Sequence, residues 1–130
     1  MSIRNLKTIL VADAITCTGV FAAGLLAAEP VGALLGLPAQ VVAIGGWICL
    51  AAALLMIVAA RQAVPGAGLV KLIALGNLGW VAASFGVIAA FAAQMTGLGI
   101  AVVTVQALGV LGFAILEWKG VAGPGAVAAA

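Results

Sequence analysis

Long apolar runs alternate with short polar breaks along this chain. Four runs stand out, at residues 8–28, 39–60, 72–93 and 98–118. A helix of about 20 mostly apolar residues crosses the roughly 30 Å hydrocarbon core of a bilayer. Each run therefore predicts a membrane-spanning helix. The breaks carry turn residues: Glu29-Pro30 to Leu37-Pro38, Arg61 to Lys71 with Pro65-Gly66, and Gln94 to Gly97. Pro38 suits the first turn of the second span, where its missing N–H is not needed. Short links make consecutive helices neighbours, so the pattern predicts an all-α integral membrane protein, a four-helix up-down-up-down bundle. Residues 1–119 read as one transmembrane domain and 120–130 as a flexible Gly/Ala-rich tail.

The first run follows Arg4 and Lys7 and so imitates a signal peptide. It is longer than the usual apolar core of about 7–15 residues. It also contains Asp13, and no A-x-A site follows it. The expectation is a retained first span.

The five basic residues agree on one orientation. Arg4 and Lys7 precede span one, Arg61 and Lys71 flank the middle link, and Lys119 follows span four. The first and third links carry none. By the positive-inside rule both termini and the middle link are cytoplasmic, which predicts an N-in, C-in protein. Trp118 beside Lys119 fits an interfacial anchor.

Composition supports this picture and excludes others. The chain is 67% apolar and 6% charged, against about 25% charge in soluble domains. A water-soluble monomer, a disordered chain and a nucleic-acid binder all need more charge. There is no His, which removes the commonest metal ligand and general base. Cys17 and Cys49 alone do not make a zinc site, which needs about four ligands. No G-x-S-x-G, P-loop or H-E-x-x-H motif occurs. No enzymatic activity, cofactor or metal is expected; the expected partners are the lipid bilayer and other membrane subunits or further copies of the chain. Helices in lipid associate by close packing, so Gly45, Gly46, Gly76, Gly79, Gly109 and Gly112 are candidate contact points.

The polar residues within the runs carry the candidate chemistry. Asp13 lies six residues beyond Lys7, about 9 Å along a helix. An acid at the centre of a span costs about 2.5–3.5 kcal/mol on insertion scales, so it should face the bundle or a wet cavity. Two readings stay open: a proton- or cation-coupling site, or a hydrogen-bonded acid that orients the first helix. Proximity to the cytoplasmic edge favours the second. Asn77 lies six residues beyond Lys71 on a helix running the same way. Equal depth predicts that Asp13 and Asn77 face each other. Thr16 and Cys17 continue the Asp13 face at i+3 and i+4, and Trp80 and Ser84 continue that of Asn77 at i+3 and i+7. A shift of 64 residues places Asp13 on Asn77 and Phe21 on Phe85, a faint repeat of the kind found in some transporters.

On the fourth span Gln106, Gly109, Phe113 and Glu117 share a face. Gln106 near mid-membrane needs a partner. Glu117 is expected at the interface, ion-paired with Lys7, Lys71 or Lys119, and such exposed pairs contribute little. Glu29 is expected to be solvated at the opposite surface. Cys17 and Cys49 should lie at similar depth as structural thiols, with a redox pair as the other reading.

The segments 6–14, from Leu6-Lys7-Thr8 to Asp13-Ala14, 75–84, containing Asn77, Trp80 and Ser84, and Gln106-Ala107-Leu108 resemble a group of small proteobacterial four-helix membrane proteins. These are generally described as uncharacterised integral membrane proteins. The resemblance covers most of the chain through short motifs. It implies an inner-membrane four-helix protein with a shared polar set of Asp13, Asn77, Trp80, Ser84 and Gln106, and it supplies no activity. Small multidrug exporters carry a Glu in span one, to which Asp13 is only a loose analogue. Dual-topology fluoride channels resemble the chain in size alone.

Three functions are compatible with these features, the weakest being a thiol-redox membrane protein using Cys17 and Cys49. The leading one is a structural or accessory subunit of a larger membrane complex, or a homo-oligomer. It draws on the missing catalytic set, the near absence of soluble mass and the smooth Gly/Ala helix surfaces. The alternative is a small proton- or cation-coupled transporter or channel using Asp13 and Asn77, with Trp80, Ser84 and Gln106 lining the path.

Overall fold

Ser2 opens the first helix, its Oγ accepting the Asn5 N–H at 3.1 Å. The computed structural model describes residues 1–122, which form five helices: α1 (Ile3–Leu26), α2 (Ala28–Leu35), α3 (Ala39–Arg61), α4 (Ala67–Phe91) and α5 (Gly97–Val121). Four of them, of 24, 23, 25 and 25 residues, are long and apolar enough to cross a membrane. The helices outrun the apolar stretches at their charged ends because backbone hydrogen bonding does not stop where lipid does. α1 thus takes in Arg4 and Lys7, and α5 continues through Gly120 to Val121. Gly120 and Val121 are therefore helical where the tail is expected to start, and residues 123–130 lie outside the described ones.

The polarity of the molecule is inverted relative to a water-soluble bundle. Leu26, Val105 and Ile15 are 81%, 69% and 67% exposed, whereas Asp13 and Glu117 are 0% exposed. Apolar surface outside and acids inside is the arrangement that a hydrocarbon solvent favours.

α1 packs most closely along α3, and α4 along α5. The two pairs meet through α1 with α5 and, most loosely, through α3 with α4. Glycine permits the tightest approach. A Cβ on Gly24 would stand 3.0 Å from the Gly46 Cα, and one on Gly46 would stand 3.2 Å from the Gly24 Cα. Of the six glycines expected at contacts, only Gly46 and Gly45, against the Trp80 ring, have such neighbours. Gly76, Gly79, Gly109 and Gly112 have open space around them. Among the described residues Gly24, Gly32, Gly36, Gly66, Gly99 and Gly120 make the other close approaches.

The first link is not a simple turn but holds α2. Pro30 sits in its first turn, where no N–H is required. Gly36 ends it in the left-handed conformation, φ 72°. This end of the molecule is tied to the α4–α5 link. The Thr96 N–H donates to the Leu35 carbonyl at 3.1 Å, and the Thr96 hydroxyl donates to the Leu34 carbonyl at 2.8 Å. Thr96 Oγ1 also accepts the Gly99 N–H at 2.9 Å, capping α5.

Candidate functional site

Three helices each contribute one polar side chain to the bundle centre: Asp13 from α1, Asn77 from α4 and Glu117 from α5. Asn77 Nδ2 donates to Asp13 Oδ2 at 2.6 Å and to Glu117 Oε2 at 3.0 Å. The single amide nitrogen thus brings the two carboxyl groups to one point. Asp13 and Asn77 meet as their matched depth predicts. Glu117 corrects the expectation of an interfacial ion pair. It is fully buried, and no lysine pairs with it among the described residues. The reason is that α5 continues one turn past it, and Leu6 packs against Gly120. Lys71 instead lies over the Trp118 ring, 5.7 Å from its centroid. Lys7 is half-buried and Lys119 exposed.

The hydrogen bonding of the cluster is incomplete. One amide nitrogen has two hydrogens, and each serves one acid. Among the described residues, Glu117 Oε1 is buried with no hydrogen-bond partner. Buried carboxyl oxygens ordinarily have partners, so this atom marks a place where a proton or another group is wanted.

The other expected residues form a separate, closed arrangement. The Trp80 indole N–H donates to Gln106 Oε1 at 2.8 Å. Gln106 Nε2 donates to Ser84 Oγ at 2.8 Å and to the Val103 carbonyl at 2.9 Å. The Ser84 hydroxyl donates to the Trp80 carbonyl at 2.8 Å. Every donor hydrogen of these three side chains is used. They fasten α4 to α5 and leave no donor for a ligand. Thr16 donates its hydroxyl to the Ala12 carbonyl at 3.0 Å and lines, beside Cys17, the groove between α3 and α4.

Access to the acids is asymmetric. Toward the basic end, Leu6, Leu10 and Val70 are fully buried on the same faces as Asp13 and Asn77, and Val121 lies beyond Glu117. These apolar side chains seal that side. On the other side Cys17 Sγ stands 4.0 Å from Asp13 Oδ1. A groove of about 480 Å³ begins there, lined mostly by apolar side chains of α3 and α4 and by Cys17, Cys49, Asn77, Trp80 and Gln106. It opens where α3 and α4 pack most loosely.

No family model matches the chain, and no curated protein and no solved structure is similar to it.

Proposed function

We propose that the protein is a non-enzymatic, proton-binding protein of the bacterial inner membrane, a small transporter or channel whose coupling site is Asp13, Asn77 and Glu117. In this reading the four long helices cross the membrane up-down-up-down, with both termini cytoplasmic. The observation that carries it is the buried pair of acids held by one amide, with Glu117 Oε1 left without a partner. Two carboxylates about 4 Å apart repel by about 4 kcal/mol at an effective dielectric near 20. A proton held between them removes that repulsion, and a small monovalent cation would act in the same way. The groove supplies the approach from one side, and the packing of Leu6, Leu10 and Val70 is the barrier on the other.

The test is proton flux into liposomes containing the purified protein, followed with an entrapped pH-sensitive dye under an imposed potential. Wild type is expected to conduct. Asp13→Asn and Glu117→Gln are each expected to lower the rate by about a hundredfold or more, the usual loss when a proton-transferring group is removed. Wild-type liposomes no leakier than empty ones would overturn the reading.

A second reading, an accessory subunit or homo-oligomer, is favoured by the groove itself, an apolar cleft on the outer surface wide enough for a partner's side chains. Native mass spectrometry in mild detergent separates the two. A stable larger assembly supports the subunit, and a monomer that conducts supports the transporter.

A further inference from the structure

Cys17 and Cys49 are used by neither reading, and the structure gives them an unusual setting. They stand on α1 and α3, belong to one buried cluster and line the same groove. The two helices approach at backbone distance where Gly24 meets Gly46. Phe21 of α1 also abuts Gly46, and Cys17 lies one turn along α1 from Phe21 as Cys49 lies one turn along α3 from Gly46. A disulfide needs Cα atoms about 4.4–6.8 Å apart, a separation that calls for a close helix pair of this kind. Both thiols are free and buried, and both line the groove. Cys17 Sγ has an acid beside it, Asp13 Oδ1 at 4.0 Å.

We propose that Cys17 and Cys49 form a dithiol that is oxidised to a disulfide by a lipid-soluble quinone entering the groove between α3 and α4. The location selects the oxidant. The thiols lie well inside their helices, beneath apolar side chains, where water-soluble disulfides and glutathione do not reach. The acceptor must dissolve in hydrocarbon, take two electrons and fit the groove. Its volume of about 480 Å³ falls within the roughly 300–1,000 Å³ usual for small-molecule sites. The reaction balances: both S–H bonds break and one S–S bond forms. Two electrons and two protons reduce one quinone to one hydroquinone. Asp13 Oδ1 is the atom placed to take the Cys17 proton and make the thiolate, the nucleophilic form of the group.

The experiment uses the full chain, reduced, in lipid nanodiscs under anaerobic conditions, with a short-chain ubiquinone analogue as the probe. After the reaction is stopped with N-ethylmaleimide, the intact mass is measured. Loss of two hydrogens with no alkylation is expected, with one hydroquinone formed per chain. Cys17→Ala and Cys49→Ala should each abolish the hydroquinone. Asp13→Asn should slow its formation by about tenfold or more, and Asp13→Glu should restore most of the rate. Two alkylated cysteines after exposure to quinone would overturn the proposal, and so would a disulfide between two chains. Proton flux does not enter the readout, so failure here and failure of the coupling site are distinguishable.

Discussion

Asn77 is the side chain on which the buried acids depend. Replacing it with Leu removes both hydrogens that Asp13 and Glu117 share. Each buried acceptor that loses its donor costs about 1–3 kcal/mol. Asn77→Leu is therefore expected to lower the unfolding temperature in detergent clearly. Glu117→Gln has the opposite logic. It keeps the shape, leaves an oxygen for Asn77, removes one charge and offers Asp13 an N–H. Its melting temperature is expected at or above that of wild type, even as flux is lost. A large fall would show that the Glu117 carboxylate is a structural requirement. The Asp13–Asn77 contact was legible in the sequence because equal distance from Lys7 and Lys71 fixes equal depth on helices running the same way. Glu117 was not. Its neighbour Lys119 suggests an edge, and nothing in the local pattern reveals that Gly120 lets Leu6 fold over it.

At the scale of elements, the hydropathy pattern locates the four long helices because partition into lipid depends on a whole run of residues. It says little about which face meets which. Gly76, Gly79, Gly109 and Gly112 belong to the same composition as Gly24 and Gly46, yet only the latter two touch at the backbone. The short helix α2 was hidden for a related reason. Eight residues cannot cross a bilayer, and Pro30 and Gly36, which read as turn residues, are in fact its first-turn proline and its left-handed cap. A substitution pair tests the packing. Gly46→Ala puts a methyl group against the Gly24 and Phe21 backbones; overpacking of this kind costs about 1–3 kcal/mol. Gly109→Ala enters open space and gains helix propensity, up to about 1 kcal/mol. Thermal unfolding in one detergent should show a fall for the first and no change or a rise for the second. Equal effects would mean that α1 and α3 do not approach at these glycines.

For the whole molecule, orientation is the property from which the direction of any proton movement follows. The basic residues Arg4, Lys7, Arg61, Lys71 and Lys119 all lie toward the end of the bundle that holds the start of α1 and the end of α5, while α2 and the α4–α5 link close the other end without a single one. The positive-inside rule converts this asymmetry into a prediction. A fluorescent protein inserted after residue 64 should fold and fluoresce, since the rule puts the α3–α4 link in the cytoplasm. Alkaline phosphatase fused there should be inactive. Fusions after residue 95 should give the reverse. Equal signals from both reporters at one site would mean dual insertion and would remove the fixed direction that coupling requires. With the predicted orientation, the sealed side of the acid cluster faces the cytoplasm and the groove leads from its other side into the membrane. Exchange with the cytoplasm then requires Leu6, Leu10 and Val70 to part. Enlarging that seal would slow the exchange, and trimming Leu10 to Ala should speed it. The dye-loaded liposomes measure this directly: flux through Leu10→Ala is expected above wild type, and a rate that does not change would move the barrier elsewhere in the bundle.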